Sequence, residues 1–309
     1  MTAPPLPDAP FLGHSRQKRW DRISHGLYAP ARVRTLAEDL HAWQLVLPRT
    51  AAFSHLTAAE LRGWWLPAPI VHPVFAAVTT TSHGVERAGL LMCRHPQPVA
   101  MQVIDGLRVT TPGETLLAAA RDLGVLDLVV LGDSALRLKQ CTLTELMITA
   151  RQHRRGGPLL RTVLPLLDPR SESPWESIMR VLHRAAEIPV TPQHELVDQF
   201  GHFVARADLL IDGTPRLHEY DGAVHRDADV HESDLARDRA LLSAKFERYG
   251  FTSRQLLKGG AAIIADVDRL LGRSWDPRRL AAWNQLIEHS FYGRAGRARA
   301  YQHWRRAQP

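Results

Sequence analysis

The 309-residue chain has the composition of a globular protein with substantial cores, since 45% of its residues are hydrophobic and 23% are charged. Its 39 Lys and Arg against 32 Asp and Glu give a net charge of +7, and its length suits two domains. Two cysteines exclude a disulfide framework and fit a reducing compartment. Neither a signal peptide nor an apolar stretch long enough to span a membrane is evident, so we expect a cytoplasmic protein with no membrane partner.

The first half predicts a mixture of short helices and strands. Thr57–Glu60 and Thr111–Glu114 both have the Thr-x-x-Glu pattern of a helix capping box. The predicted elements are, in chain order, a helix over Ala58–Trp65, strands over Val71–Thr79 and Met101–Val109, and helices over Thr115–Leu123 and Val125–Leu138.

Two phrases of this half, FSHLTAAELRGWWLP and GLRVTTPGETLLAAARDLG, resemble the AbiEi family of abortive-infection antitoxins over about residues 18 to 140. Arg19–Tyr28 resembles the wing end of that family's winged helix, but too few residues precede it for a complete one. The resemblance implies an antitoxin-like α/β module over 1–150 and a toxin or defence partner. The alternative is an interaction or scaffold domain without chemistry. Residues 151–172, which contain Gly and Pro, predict a linker with one short helix.

The segment 201–225, GHFVARADLLIDGTPRLHEYDGAVH, is the most informative part of the chain. It predicts a β-hairpin with a strand over Phe203–Ile211, a turn over Asp212–Pro215 and a returning strand over Arg216–Tyr220. Acids are poor strand formers, so the acids at 208, 219 and 221 in this apolar hairpin require an explanation.

The register of the hairpin decides where these acids lie. A two-residue loop at positions 213 and 214 makes the numbers of paired residues sum to 427, which places Asp208 opposite Glu219. A loop one residue earlier makes the two acids diagonal neighbours, and either register brings them within about 4.5 to 8 Å. A three-residue loop would place them on opposite faces.

Two carboxylates at this separation repel each other, which raises the pKa of one of them unless a cation lies between them. Mg²⁺ is the simplest such cation, because it is held by one or two carboxylates together with water and substrate phosphate. The alternative is a solvated surface hairpin, in which Arg206, Arg216 and His218 offset the acids.

An acid in an apolar strand, a short turn, and a strand ending in Glu-Tyr-Asp-Gly with a following His together resemble the PD-(D/E)xK nuclease superfamily. The similarity is to the branch that contains the very-short-patch-repair endonucleases, and it covers about residues 171 to 260. Upstream, Ser173-Pro174-Trp175-Glu176 predicts the start of a helix. Downstream, the same pattern includes a helix with Asp234, Arg237, Asp238, Leu241 and Leu242, then Tyr249-Gly250-Phe251 and a strand ending near Leu257.

The resemblance implies an α/β (α+β) chain in which a restriction-endonuclease-like domain over 173–272 has a central mixed sheet flanked by helices. It further implies that Asp208 and Glu219 ligate Mg²⁺ or Mn²⁺, with the carbonyl of Tyr220 as a third ligand. Glu176 would hold a metal-bound water. Its position three residues after Ser173 also fits a helix cap, and the two roles are compatible.

The family commonly has Lys two residues after its second acid, and this chain has Asp221 there. The very-short-patch branch also lacks that Lys and relies on a His, which makes His225 the substitute base. Lys245 is a second candidate, and an exposed loop His without chemistry is the alternative for His225. Imidazole suits the role because its ordinary pKa lies near neutrality. The implied reaction is metal-assisted hydrolysis of phosphodiester bonds.

The C-terminal tail, which we place at 273–309, is basic and aromatic. Residues 271–309 contain eight arginines against Asp276 and Glu288, a net of +6. Such a segment suits a phosphate backbone and the stacking of unpaired bases, while the alternative is an amphipathic helix that packs its aromatic rings on the nuclease domain. The aromatic residues are Trp275, Trp283, Phe291, Tyr292, Tyr301 and Trp304. The candidate phosphate contacts of the chain are Arg237, Arg294, Arg297, Arg299, Arg305 and Arg306.

The sequence thus favours a Mg²⁺-dependent DNA endonuclease that acts in repair, phage defence or a toxin–antitoxin system. Nothing in these residues distinguishes DNA from RNA. The alternative is a catalytically weak DNA-binding regulator or antitoxin-like protein on a nuclease fold, in which Asp221 has replaced the needed Lys.

Overall fold

The structure is a computed structural model that describes residues 9–81, 85–197, 200–222 and 245–305. It is a mixed α/β fold with three sheets. The strands are β1 Phe11–Leu12, β2 Trp20–Ser24, β3 Leu27–Pro30, β4 Ala52–Phe53, β5 Val74–Thr79, β6 Leu90–His95, β7 Met101–Ile104, β8 Leu107–Thr110, β9 Val190–Val197, β10 Phe203–Ile211, β11 Arg216–Tyr220 and β12 Glu247–Phe251. The α-helices are α1 Leu36–Gln44, α2 His55–Leu61, α3 Pro112–Ala119, α4 Val125–Arg137, α5 Leu143–Arg151, α6 Gly157–Val163, α7 Pro174–Ala185, α8 Ser253–Lys258, α9 Gly260–Leu270, α10 Ala281–Glu288 and α11 Arg294–Trp304.

The chain divides into two compact units. The first comprises Met1–Leu123, Cys141–Arg161 and Ala298–Pro309, and the second comprises Gly124–Gln140 and Thr162–Arg297. A three-stranded sheet in the order β1-β3-β2 and a five-stranded sheet in the order β6-β5-β4-β8-β7 belong to the first unit. Among the described residues, no helix combines the length and the apolar character that crossing a membrane requires.

In the first unit, the single strand predicted over Met101–Val109 is wrong, because two antiparallel strands occupy it. Strands β7 and β8 are joined by Asp105 and Gly106, whose φ values of 48° and 79° are both left-handed. An Asp-Gly pair at these angles is the two-residue turn that matches the twist of a hairpin. Helix α1 packs against the five-stranded sheet, over a core that includes Phe53 of β4 and Leu107 of β8, both fully buried.

Both capping boxes predicted in this unit are wrong, although helices do form there. Helix α2 begins at His55, and the hydroxyl of Thr57 instead accepts the N–H of Phe75 at 2.9 Å. At the start of α3, Thr111 makes no side-chain cap, and Glu114 forms a two-pronged ion pair with Arg154 at 2.5 and 2.7 Å. In both places a distant residue bonds the side chain that the local pattern assigns to the cap: Phe75 bonds the Thr57 hydroxyl, and Arg154 bonds the Glu114 carboxylate. The helix predicted over Val125–Leu138 is confirmed as α4.

The second unit is built on a four-stranded sheet in the order β12-β11-β10-β9. The strands predicted over Phe203–Ile211 and Arg216–Tyr220 are confirmed as β10 and β11. They pair antiparallel, and β11 pairs parallel with β12, so the sheet is mixed. The strand predicted to end near Leu257 is wrong: β12 ends at Phe251, because Thr252 and Gln255 form a capping box that starts α8.

Helix α7 is held in this unit by a buried ion pair. An Nη2 of Arg180 lies 2.5 Å from Oδ2 of Asp133 on α4, and both side chains are fully buried. The other oxygen of Asp133 accepts the N–H of Asp168 at 2.7 Å, and Nη1 of Arg180 donates to the carbonyl of Leu166 at 2.6 Å. Because each charge is desolvated, removing either partner leaves the other uncompensated.

We therefore expect Asp133→Asn to lower the free energy of unfolding by about 3 to 5 kcal/mol, as measured by urea titration. Arg269→Met is the matched control. It breaks the ion pair of Arg269 with Asp266, in which 78% of the arginine side chain is exposed, so it should change the free energy of unfolding by about 0.5 kcal/mol or less. A loss in Asp133→Asn as small as that of the control would contradict the assigned role.

A buried histidine pair joins the same helix to the sheet. Nδ1 of His183 on α7 lies 2.8 Å from the carbonyl of Met179, and its Nε2 lies 3.0 Å from Nδ1 of His218 on β11. A carbonyl only accepts, so Nδ1 of His183 carries the proton, and its Nε2 accepts from His218. Burial lowers the pKa of His183 to about 4. The pair is therefore neutral in the folded protein.

Acid should destabilise this pair. The pKa of His183 rises from about 4 when folded to about 6.5 when unfolded, so the unfolded chain takes up more protons as the pH falls between these values. We expect the free energy of unfolding to fall across that window by about 3 kcal/mol for this group. His183→Leu should be less stable at neutral pH, yet lose less between pH 7.5 and pH 4.5 in urea titrations. An unchanged acid dependence in the variant would contradict the assignment.

Candidate functional site

The observed register of the hairpin places the two strand acids opposite each other. Leu209 pairs with His218 and Leu210 pairs with Leu217, so paired numbers sum to 427 and Asp208 falls opposite Glu219. This confirms the register of a two-residue loop. The left-handed Gly213, with φ of 78°, lies in that turn. Directly opposed residues of an antiparallel pair share a face, with Cβ atoms about 4.5 to 5.5 Å apart.

The row of residues continues across the sheet on both sides. On β9, Gln193 falls opposite Asp208, since its neighbours pair in the same register. Its φ of 51° is left-handed, and its amide nitrogen donates to Oε2 of Glu176 at 2.8 Å. On the other side, Gly250 of β12 pairs with Glu219. The strand register and one hydrogen bond thus connect Glu176 to the two opposed acids. We call Asp208, Glu219 and Asp221, which share one face by strand register, the acid row.

Glu176 is a buried residue in the first turn of α7. Its N–H donates to Oγ of Ser173 at 3.2 Å, and its carboxylate accepts the N–H of Glu172 at 2.7 Å. The capping interaction is therefore present in part, with the carboxylate turned to the residue before Ser173. Burial raises the pKa of Glu176, and its hydrogen bonds oppose that rise in part. The Glu176 side chain therefore bonds the chain just before the helix and, through Gln193, the sheet.

Asp208 also contacts the end of the neighbouring strand. Its Oδ2 accepts the N–H of Tyr220 at 2.9 Å. The N–H and C=O of one strand residue project to the same side of the strand, so we expect the carbonyl of Tyr220 to face the Asp208 side. Two carboxylates and a main-chain carbonyl are oxygen donors of the kind that Mg²⁺ or Mn²⁺ accepts, and this donor set fits such an ion.

A cation that the sequence analysis overlooked completes the site. Nε of Arg248 on β12 lies 2.5 Å from Oε2 of the buried Glu219, and its Nη2 lies 3.6 Å from Oδ1 of Asp221. The signal was present as an arginine directly before the Tyr249-Gly250-Phe251 segment of the predicted pattern. Its importance depended on the parallel pairing of β11 with β12, which no local pattern shows.

Asp221, at the usual Lys position, is 53% exposed in its side chain and lies over Gly250. A Cβ on that glycine would overlap the Asp221 carboxylate. The absence of a side chain at Gly250 therefore lets the acid settle against β12, beside Arg248.

Three aromatic rings flank the acid row. Trp175, next to Glu176, stacks on Tyr220 with ring centroids 5.5 Å apart and planes at 18°. Trp175 also contacts Tyr292, with ring centroids 5.5 Å apart. Burial raises the pKa of both Tyr220 and Tyr292, so both hydroxyls stay protonated at neutral pH.

One predicted site residue, Lys245, is not brought to this place. Lys245 is an exposed, left-handed turn residue with φ of 63° before β12. His225, Arg237 and Arg306 lie outside the described residues. Within the parts of the chain that the structure describes, no three His, Cys, Asp or Glu side chains are grouped so that they could hold a metal ion.

The aromatic residues of the tail are mostly structural. Trp283, Phe291 and Trp304 are each 3% exposed or less, so they are packed as the alternative predicts. Trp304, however, packs in the first unit and not on the predicted nuclease domain. In the second unit, the N–H of Phe291 donates to both carboxylate oxygens of Asp127 at 2.9 and 3.0 Å. In the first unit, the indole of Trp304 donates to Asp122 at 2.9 Å. These three rings are therefore not presented for stacking on bases.

The described candidate phosphate contacts of the tail fall into two groups. Arg297 donates to the carbonyls of Phe291 and Tyr292 and closes a local turn, and Arg299 joins α11 to the distant carbonyl of Asp122. Arg294 and Arg305 are exposed at the two ends of α11, where a phosphate backbone has access to them.

The chain matches no family model, no curated protein and no solved structure. The resemblances to nuclease and antitoxin families are accordingly carried by the sequence motifs alone. What the function has to account for is the acid row, with Arg248 against it and aromatic rings beside it.

The contact between Asp221 and β12 can be tested by Gly250→Ala. We expect the new methyl group to push the exposed Asp221 carboxylate away from Arg248 while changing the free energy of unfolding by about 1 kcal/mol or less, since the displaced group is the end of a flexible side chain. A crystal structure of the variant checks the displacement, and urea titration checks stability. Asp221 in an unchanged position would contradict the assigned packing.

Proposed function

We propose that this protein is a divalent-metal-dependent nuclease that hydrolyses phosphodiester bonds in DNA, with its site in the second unit. The observation that carries the proposal is the placement of Asp208 opposite Glu219 on adjacent strands. Opposed carboxylates inside a sheet are destabilising unless a cation compensates them. A divalent ion that also binds phosphate gives this arrangement a purpose.

In this proposal, Asp208, Glu219 and the carbonyl of Tyr220 hold Mg²⁺ or Mn²⁺. The ion would supply a lowered pKa for bound water and charge neutralisation at the phosphate. Glu176, whose pKa burial raises, retains a proton more readily than an exposed acid and can hydrogen-bond a water at the edge of the site. The water proton would pass to His225, since Lys245 lies before β12, away from the acid row.

The proposal extends to the partners. The chain has a net charge of +7, and most of its positively charged side chains are arginines. Exposed arginines such as Arg294 and Arg305 suit a phosphate backbone. The antitoxin-like motifs of the first half extend the proposal to a toxin or defence partner and to action in the cytoplasm. RNA contains the same phosphodiester bond, so it belongs among the substrates to be compared.

A second candidate function is a DNA-binding regulator with weak or no cleavage. The observation that favours it is the ion pair between Arg248 and Glu219, because a guanidinium already neutralises one of the two opposed acids. Asp221 in the place of a Lys points the same way. In that case the acids would stabilise the sheet, and the basic surface alone would act on DNA.

Cleavage assays decide between the two. We expect the wild type to nick supercoiled plasmid with Mg²⁺ or Mn²⁺ and not with EDTA. Asp208→Asn and Glu219→Gln should each reduce the rate by at least about 100-fold, because each loses a charge that stabilises the transition state. Both variants keep an acceptor oxygen for Tyr220 or Arg248, so the fold should survive.

Glu195→Gln is the matched control, because it removes an exposed carboxylate from β9 of the same sheet and should cut as the wild type does. A single-stranded RNA of equal length serves as the competing substrate. If the wild type cuts neither substrate with any divalent metal but still binds the plasmid, the nuclease function is wrong and the regulator function is supported. If both site variants still cut as fast as the wild type, these acids take no part in the reaction.

A further inference from the structure

The sheet places Arg248 on the face of the acid row. Leu217 pairs with Arg248 and Glu219 pairs with Gly250 in the parallel register of β11 and β12. Residues two apart in a strand share a face, so Arg248 lies on the face of Gly250 and of Glu219. Its contacts with Glu219 at 2.5 Å and with Asp221 at 3.6 Å follow from this placement.

Other described arginines of this sheet have partners elsewhere. Arg206 forms an exposed ion pair with Glu172. Arg216 bonds Glu247 and Asp266 and lies over the ring of Tyr249. Arg216 is thereby directed to groups outside the acid row, whereas Arg248 bonds Glu219, a member of it.

The charges around Arg248 are unequal. The carboxylates of Glu219 and Asp221 both lie against its one guanidinium. A divalent ion held by Asp208 and Glu219 would add a second cation at Glu219. The ion would need Glu219, so the ion and the guanidinium compete for one carboxylate. Such competition is a coupling between two ligands of one group, and it acts equally in both directions.

Guanidinium binds carboxylate and phosphate with the same planar fork of N–H donors. A phosphate oxygen can therefore take the place of the Glu219 oxygen without any change in the donor. The side chain of Arg248 is 25% exposed, and that of Asp221 beside it is 53% exposed, so a nucleic-acid backbone has access to this pair. Asp221 would hold the guanidinium while Glu219 turns to the ion.

We propose that Arg248 is the phosphate-binding cation of this site, a role that rests on the proposed nuclease function. It neutralises Glu219 until a divalent ion binds that carboxylate, and it then donates to the phosphate of the substrate. The charge that the family's usual Lys would supply after the second acid thus comes from the neighbouring parallel strand.

The test compares wild type with Arg248→Met and Arg248→Lys. Calorimetry measures Mn²⁺ affinity without DNA, and fluorescence anisotropy measures the affinity for a short DNA duplex in Ca²⁺ at several salt concentrations. Arg248→Met should bind Mn²⁺ on the order of 10-fold more tightly, because the competing cation is gone. The same variant should bind the duplex at least about 10-fold more weakly, with the log–log salt slope smaller by about 1.

Arg269→Met, which removes an exposed arginine paired with Asp266 on α9, is the control and should match the wild type in both measurements. A folded Arg248→Met that binds Mn²⁺ no more tightly, or the duplex no more weakly, than the wild type would overturn the proposal. Where Arg248→Met does not fold, Arg248→Lys decides: it keeps the charge and loses the fork. Weaker duplex binding with an unchanged salt slope supports the role, and unchanged binding overturns it.

The two proposals fail in different ways. If the nuclease function is wrong, the wild type cuts no nucleic acid, while Arg248→Met still gains Mn²⁺ affinity and loses duplex affinity. If the role of Arg248 is wrong, the wild type cuts and Arg248→Met cuts as fast, with the Mn²⁺ affinity of the wild type.

Discussion

The pairing of Leu209 with His218 is the contact on which the site depends. It sends Asp208 and Glu219 to one face of the sheet and His218 to the other, where it meets His183 of α7. A shift of one residue in this register would exchange the faces of one strand and separate the acids. Because the same pairing sets both faces, the helix that contributes Glu176 and the strands that contribute the opposed acids are positioned together.

Charge balance is the second constraint, and it explains why the acids are tolerated. Glu219 is 4% exposed, and a buried carboxylate needs a compensating cation. Arg248 provides one from the parallel strand, and Gly250 leaves room for Asp221 to approach it. A divalent ion would compensate the same acids in another way. With that ion the site would have a second arrangement of its charges, which differs from the observed one in the partner of Glu219.

The parts of the fold that could be predicted are those set by local chemistry. The turn around Gly213 and the alternation in β10 predict the hairpin, and Ser173 with Pro174 starts α7. The sequence left three registers of that hairpin open, and the structure has the one with Asp208 opposite Glu219. Arg248 could not be identified, because its role depends on a parallel pairing of distant segments. The capping boxes at Thr57 and Thr111 were wrong for a similar reason, since Phe75 and Arg154 engage the hydroxyl of the first and the Glu of the second. The basic, aromatic composition of the tail did not reveal that Trp283 and Trp304 are buried.

The central claim is that Asp208 and Glu219 together bind one divalent ion. Anomalous diffraction from crystals soaked in Mn²⁺ tests it most directly. The account predicts one peak about 2.0 to 2.3 Å from a carboxylate oxygen of each acid, with Glu219 released by Arg248, and no such peak in Asp208→Asn crystals. Wild-type crystals that keep the Glu219–Arg248 ion pair and show no peak at these acids would contradict it.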